Sequence, residues 1–460
     1  MQKSSIFKKL SQEYEKPLLA NLRQFVAINS VYDEKTISDE NPFGKGVSQA
    51  LNFIEKLALT DDFKVTNYDN KVVEIIVGEG DKNITIMAHA DVVPAGTGWD
   101  QDPFSVTEHK DVLCGRGVAD DKGPLLSAYY ALKLLRDNHL LGDYQVRFLV
   151  GGNEERGSLG MTHYFEELKK PQPTYGFSPD SDYPLIYGEK GIINFKVKKS
   201  FEINGVYSIQ GGVASNSVIE RCVVRMRENQ FFLKKLKEQK INFQAQMLEE
   251  GMEVVFIGKA AHGSTPEFGL NAGLIAITQL GDFLQDSNLQ QIARLYIDLE
   301  GRGLNIDAQS QAMGHNSLNV GLINYENNQF SMVVNFRYVD GLDPNNLVNK
   351  IKECSQPFDI EILAHSPLLF YPLDSVLVST LLSCYQEETG DYQSLPLTTG
   401  GGTYAKEANN VIAFGMQFPG WDSKMHSPSE SVKKSALFQS IAIYARAIVE
   451  LGKKIDENKI

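Results

Sequence analysis

The feature that most constrains the fold is a set of apolar, strand-like runs that each end in a histidine or a carboxylate. The first run leads into His89, and Asp91 follows two residues later. Side chains alternate along a strand, so these two side chains are expected to point to the same side. Later runs end at Glu154 and Glu155 and at Asp180. Such strand ends are typical of open α/β sheets, whose sites lie at the carboxyl ends of the strands.

The order of the elements predicts an α/β fold with an inserted second domain. Helical spacing of apolar residues alternates with strands in the first part of the chain, returns near its end, and is interrupted by a segment richer in strands. At 460 residues the chain is too long for one ordinary core. We therefore predict a first domain, with a central, mostly parallel sheet flanked by helices, formed by residues 1–190 and 368–460. Residues 191–367 are predicted to form an inserted α+β domain.

Composition excludes several classes of function. The net charge of −13 argues against a nucleic-acid partner, which needs clustered Lys and Arg. No apolar run approaches the ~20 residues that span a bilayer, and the first ten residues lack the apolar core of a signal peptide. No membrane partner is therefore expected. The four cysteines are scattered without a CxxC pair, which favours a reducing, cytoplasmic location.

The candidate ligands are imidazoles and carboxylates, with no thiolate among them. A glycine-rich loop contributes Asp120, and His426 follows the last short strand. Such a set suits a pair of divalent first-row ions such as Zn²⁺ or Mn²⁺. Two ions ~3.5–4 Å apart need a bridging carboxylate, and a further carboxylate can act as general base. Taken singly, Asp120 could cap a helix and the glutamates could be a solvated pair, but the joint pattern favours metal binding.

Three segments surround the candidate ligands, namely Met87–Pro94 (MAHADVVP), Gly115–Gly123 (GRGVADDKG) and Gly152–Glu155 (GNEE). They resemble the motifs of the co-catalytic metallopeptidase family of carboxypeptidase G, carnosinase and succinyl-diaminopimelate desuccinylase. Four further segments are Asn41–Gly46 (NPFGKG), Phe177–Asp180 (FSPD), Tyr187–Gly191 (YGEKG) and Gly400–Ala405 (GGGTYA). With them the resemblance covers nearly the whole chain and is greatest to the PepV-type bacterial dipeptidases.

The resemblance implies two divalent metal ions, Zn²⁺ or Mn²⁺, bound by five residues. His89 and Asp180 would bind the first ion, and Glu155 and His426 the second. Asp120 would bridge both, and a cis peptide bond would follow it.

The resemblance also implies the catalytic roles. Glu154 would be the general base on a metal-bridging water molecule and would later give the proton to the leaving amine. Asp91 would orient the imidazole of His89.

In this family the inserted domain is a lid. The resemblance therefore implies that His262 stabilises the oxyanion and that Asn216 and Arg337 bind substrate, Arg337 by clamping a carboxylate. A glycine loop could form a backbone nest for the same carboxylate and comprises Gly401, Gly402 and Thr403. Ordinary roles remain open, namely a helix-entry histidine, a strand-edge charge and a tight turn.

The sequence thus predicts a two-metal dipeptidase that hydrolyses short unblocked peptides. Because the inserted segment is far larger than a single small ~100-residue domain, the enlarged lid predicts a monomer. An N-acyl-amino-acid amidohydrolase or a carboxypeptidase of the same family is the alternative, followed by an inactive binding protein of this fold. A nicotinamide enzyme is disfavoured because no GxGxxG follows a strand.

Overall fold

The computed structural model describes residues 5–457. The first four and last three residues, which are the ends of the predicted first domain, lie outside this range. The chain divides into two compact units. The first unit comprises the described residues up to Gly188, Tyr371–Thr398 and those from Gly402 onward, and the second comprises Glu189–Phe370 and Thr399–Gly401. The predicted domain boundaries stay a prediction.

The α-helices are distributed over both units. Along residues 5–457 they are α1 (Ile6–Ser11), α2 (Glu15–Val26), α3 (Lys45–Thr60), α4 (Lys122–Asp137), α5 (Leu159–Thr162), α6 (Gln230–Glu238), α7 (Ala272–Leu284), α8 (Ser287–Tyr296), α9 (Pro344–Cys354), α10 (Val376–Thr389) and α11 (Lys434–Glu457).

The strands range from two to ten residues. They are β1 (Lys64–Tyr68), β2 (Val72–Val77), β3 (Asn83–His89), β4 (Thr107–His109), β5 (Val112–Cys114), β6 (Gln145–Gly151), β7 (Tyr175–Ser178), β8 (Ser181–Asp182), β9 (Ile186–Glu189), β10 (Gly191–Ser200), β11 (Val206–Gly211), β12 (Arg221–Met226), β13 (Phe243–Leu248), β14 (Gly251–Ile257), β15 (Gln309–Ser310), β16 (Gly314–His315), β17 (Ser317–Glu326), β18 (Gln329–Tyr338), β19 (Asp359–Ser366), β20 (Leu369–Phe370), β21 (Leu397–Thr399), β22 (Val411–Ala413), β23 (Met416–Gln417) and β24 (Ser431–Lys433).

The first unit contains a mixed sheet with strand order β1-β2-β6-β3-β7-β22-β9. Its centre is parallel, with β6, β3, β7 and β22 running in one direction. Its edges are antiparallel. On one edge β1 returns into β2 through a hairpin whose Asp69 and Asn70 adopt positive φ, as tight hairpin turns require. The predicted α/β fold is confirmed, and the parallel arrangement is confined to the centre of the sheet.

Strand β3 lies in the interior of this sheet. All seven of its residues are buried, as expected of a parallel strand covered on both faces. Helices α4 and α11 pack against each other and against β3. The loop before α4 lies close to the helix at Gly123, where a Cβ would be 2.1 Å from the carbonyl oxygen of Val118. The histidine that ends β3 is therefore attached to a rigid element.

The second unit contains an antiparallel sheet with strand order β13-β14-β12-β11-β17-β18-β10-β19. Its apolar core includes residues of the sheet and of helices α6 to α9, which agrees with the predicted α+β character. Strand β18 is an interior strand, since it pairs with both β17 and β10. Arg337 lies on β18, opposite Ser317 and Ile192.

Among residues 5–457, no helix combines the length and apolar character needed to cross a membrane. The cytoplasmic location and the monomeric state stay predictions.

Candidate functional site

The five predicted metal ligands converge in the first unit. They come from separate segments that end near the carboxyl edge of the parallel strands. The segments are the end of β3 (His89), the loop before α4 (Asp120), the turn after β6 (Glu155), the turn after β7 (Asp180) and the loop before β24 (His426).

Asp120 lies between the two histidines. Its Oδ1 is 3.0 Å from Nε2 of His89, and its Oδ2 is 2.8 Å from Nε2 of His426. The same nitrogen of His89 is 3.5 Å from Oδ2 of Asp180. The same nitrogen of His426 is 3.4 Å from Oε1 of Glu155. The cluster therefore has two positions, one beside each histidine, with the Asp120 carboxylate shared between them.

Two of these separations, those to Asp180 and Glu155, fit divalent cations, and the two to Asp120 are shorter. Ligand atoms that share a tetrahedral Zn²⁺ at 2.0–2.2 Å lie roughly 3.3–3.6 Å apart, close to the separations of 3.5 and 3.4 Å given above. In addition, Oε1 of Glu155 is buried without a hydrogen bond, and a buried acceptor of this kind requires a partner. The donor set of imidazoles and carboxylates therefore suits a pair of divalent cations.

The electrostatics of the cluster also favour bound cations. Burial raises the pKa of Glu154 well above its usual value, opposed by the charge of His89 and increased by that of Asp180. Burial and the charge of Asp120 raise the pKa values of Glu155 and Asp180. Each shift means that the charged carboxylate is destabilised. Divalent cations would supply the positive charge that these buried carboxylates need.

Glu154 lies beside the position next to His89. One carboxylate oxygen of Glu154 lies within 4.8 Å of ligand atoms of both His89 and Asp180. Its neighbour Glu155 exposes only 10% of its side chain. The alternative of a solvated surface pair is therefore wrong for Glu155.

Asp91 contacts His89 through its main chain. Nδ1 of His89 is 3.0 Å from the carbonyl oxygen of Asp91 and 3.5 Å from its carboxylate. Because a carbonyl can only accept, Nδ1 carries the proton and Nε2 presents its lone pair to the cluster. The Asp91 carboxylate instead accepts the backbone N–H groups of Glu154 (3.1 Å) and Glu155 (3.2 Å). Asp91 thus adjoins the imidazole as predicted, and its carboxylate organises the glutamate turn.

The peptide bond between Asp120 and Asp121 is cis, as the resemblance implied. Oδ2 of Asp121 accepts the backbone N–H of His89 over 3.0 Å. No side-chain hydrogen bond caps α4 at Asp121. The carboxylate of Asp120 faces the two histidines instead, so the alternative in which Asp120 caps the helix is wrong.

In the second unit, the segments that carry the predicted substrate-binding residues are in contact. The N–H of Gly263, next to His262, donates to the carbonyl of Asn216 over 2.7 Å. The guanidinium of Arg337 donates to the carbonyl of Gly400. A Cβ on Gly400 would lie 2.7 Å from Cβ of Ser264, so the glycine segment lies directly against the histidine segment.

Arg337 is a buried cation without a carboxylate partner. It exposes 3% of its surface, and its Nε donates to Oδ1 of Asn335 over 2.9 Å. Burial lowers its pKa to about 10. No carboxylate among residues 5–457 forms an ion pair with it. Because β18 pairs with a strand on each side, the strand-edge alternative is wrong.

The glycine loop does not form the predicted nest at Gly401. The N–H of Gly401 already donates to Oγ1 of Thr399 over 3.0 Å. In the first unit, Oγ1 of Thr403 accepts the N–H of Ala405 over 3.1 Å and so caps the following turn. Substrate binding by Gly402 and Thr403 stays a prediction.

Residues 85–450 match the profile of Peptidase family M20/M25/M40. The chain belongs to this family. The membership confirms the resemblance found in the motifs and the predicted peptide-hydrolase class.

Individual proteins agree with this membership. A Staphylococcus haemolyticus protein named "Putative dipeptidase" is 33% identical over 97% of this chain and 99% of its own length. The "Putative dipeptidase YtjP" of Bacillus subtilis is 32% identical over 95% and 97%. Human carnosine dipeptidase 1 shares the fold with a TM-score of 0.59 at 13% identity, over 97% of this chain and 99% of its own.

Glu430 is a site residue whose role the sequence did not predict. It is fully buried, and its Oε2 is 2.6 Å from Nη1 of Arg116, 314 positions away. Its Oε1 accepts three backbone N–H groups, those of Gly117 (2.9 Å), Ala119 (3.0 Å) and Asp120 (3.3 Å). One carboxylate thus ties the loop of Asp120 to the segment after His426. The only sequence signal was its place four residues beyond that histidine.

Proposed function

We propose that the chain is a two-metal dipeptidase that hydrolyses short unblocked peptides. The observation that carries this proposal is the Asp120 carboxylate, whose two oxygens face two different histidines. Each histidine has a further carboxylate beside it, Asp180 for His89 and Glu155 for His426. Membership in a peptidase family and relatives named as dipeptidases support the reaction and the substrate class.

The five side chains would hold one cation at each histidine, with Asp120 common to both. The chemistry that such a pair would supply when bound is Lewis-acid polarisation of the scissile carbonyl and a lowered pKa of the attacking water. Glu154 accepts the proton of that water and returns it to the leaving amine.

Residues of the second unit would contact the substrate at its terminal carboxylate and at the oxygen of its scissile carbonyl. The guanidinium of Arg337, which has no ion-pair partner within residues 5–457, donates to the free terminal carboxylate of the peptide, with Asn216 as a neighbouring polar group. A bidentate guanidinium–carboxylate contact fixes orientation as well as charge. His262 donates to the carbonyl oxygen as negative charge develops there.

Metal removal is expected to abolish hydrolysis reversibly. Chelated protein should lose turnover of free dipeptides and regain it with Zn²⁺ or Mn²⁺, because the buried carboxylates need the cations. The measurement is amine release over a panel of free dipeptides, N-acetylated dipeptides and longer peptides. The proposed function fails if chelated, metal-free protein retains its rate, or if N-acetylated substrates are turned over as fast as free ones.

Arg337→Met is expected to raise KM for free dipeptides about 10- to 100-fold, because a hydrogen bond to a charged group contributes about 1.5–3 kcal/mol. Dipeptide amides lack the terminal carboxylate, so their KM should change little in the same variant. Arg225→Met is the matched control, since Arg225 lies on the same sheet in an ion pair with Glu253 and is 60% exposed. Equal losses for free and amidated dipeptides would contradict carboxylate binding by Arg337.

A further inference from the structure

We propose that Ser264 is a positioning residue that fixes the tautomer of His262, with the proton on Nε2 and the lone pair on Nδ1. The inference rests on the proposed oxyanion role of His262. Beyond that role, the inference identifies Nε2 as the nitrogen that donates to the oxyanion and Ser264 as the residue that keeps the proton there.

Ser264 contacts Nδ1 of His262 through two groups. Its Oγ is 2.6 Å from that nitrogen, and its backbone N–H donates to Nδ1 over 3.4 Å, which is longer than the usual 2.7–3.2 Å. The backbone N–H can only donate, so it favours an acceptor at Nδ1, and the rotatable hydroxyl hydrogen then donates to the same nitrogen. The short hydroxyl contact supplies most of the preference, and Ser264→Ala removes it.

The proton of the neutral imidazole is consequently on Nε2, since only one ring nitrogen carries it. A protonated Nε2 is a donor that stabilises negative charge on a carbonyl oxygen. With the proton on Nδ1 instead, Nε2 would present a lone pair and repel the oxyanion. Ser264 therefore decides whether this histidine stabilises or destabilises the transition state.

The position of Ser264 is itself fixed by its surroundings. Its Cβ packs against Gly400, and a Cβ added at Gly400 would lie only 2.7 Å from it. The carbonyl of the same glycine accepts from Arg337. The N–H of Thr265 donates to the carbonyl of His262 over 3.0 Å, which closes the turn between the two residues. Packing and the turn therefore hold Ser264 in place beside Nδ1 of His262.

The test combines nitrogen NMR with kinetics on the metal-loaded full chain. Histidine ¹⁵N correlation spectra of the free protein distinguish protonated from unprotonated ring nitrogens, and His262→Gln identifies the His262 signals. We expect an unprotonated Nδ1 in the parent protein and a mixture of tautomers in Ser264→Ala. We also expect kcat to fall about 3- to 10-fold, the value of one neutral hydrogen bond, with KM unchanged.

Ser264→Thr keeps the hydroxyl and should restore both the spectrum and kcat. Ser208→Ala, at a partly exposed strand position of the same unit, should change neither. A protonated Nδ1 in the parent protein would overturn the inference, as would an unchanged His262 spectrum in Ser264→Ala. Full kcat in His262→Ala would instead contradict the oxyanion role, while the spectra still decide the role of Ser264.

Discussion

Glu154→Gln is expected to reduce kcat for dipeptides by roughly 10²- to 10⁴-fold, the usual contribution of a positioned general base. The amide has nearly the same shape as the carboxylate and cannot take a proton from water at neutral pH. Glu154 is not among the five proposed ligands, so both cations should stay bound. The measurement is kcat at saturating metal together with the metal content of the purified variant.

Glu155→Gln is the matched comparison at the next position. It replaces a proposed ligand, so it should lower the affinity for one cation and recover activity as metal concentration rises. Glu154→Gln should show no such recovery. If Glu154→Gln kept more than a tenth of the parent kcat at saturating metal, the general-base role would be wrong.

The second large effect is expected on stability, in Glu430→Ala. Removing one partner of a buried ion pair typically costs about 3–5 kcal/mol, because Arg116 and three backbone N–H groups would lose their acceptor. The Asp120 loop should also become less ordered, which should weaken metal affinity by about 10- to 100-fold. Denaturant unfolding with and without metal measures the first effect, and titration of chelated protein with Zn²⁺ measures the second.

Glu430→Gln is the more conservative change, and it separates the ion pair with Arg116 from the hydrogen bonds to the backbone of the Asp120 loop. Its amide oxygen can still accept the backbone N–H groups, so metal affinity should fall less than in the alanine variant. Combining it with Arg116→Met should recover part of the stability, because no buried charge is then left unpaired. An unchanged unfolding midpoint in Glu430→Ala would contradict this account.

The central strands of the first unit could be predicted because buried parallel strands are continuous apolar runs. Local patterns carry no information about sheet order. Strands β2 and β3 are consecutive in sequence, yet β6 lies between them. The antiparallel edges were missed for the same reason, since strand direction depends on connections that periodicity does not report.

The convergence of the candidate ligands could be predicted because metal-binding chemistry depends on residue type. Contacts to the main chain could not. Any residue could supply the carbonyl that orients His89, so the sequence pointed to the carboxylate of Asp91 instead. The pair of Glu430 and Arg116 is separated by 314 positions, and each partner alone resembles an ordinary charged residue.

The two histidines proposed to act at the scissile bond differ in what their Nε2 atoms present, which is a lone pair in His89 and a proton in His262. In each, the residue two positions later decides it, through a carbonyl of Asp91 for His89 and through donors of Ser264 for His262. One ring is thereby an electron-pair donor and the other a proton donor. The reactivity of each ring is thus set by the group that faces its Nδ1, which is a backbone carbonyl for His89 and chiefly a hydroxyl for His262. A search for catalytic histidines should examine that partner as well as residue identity.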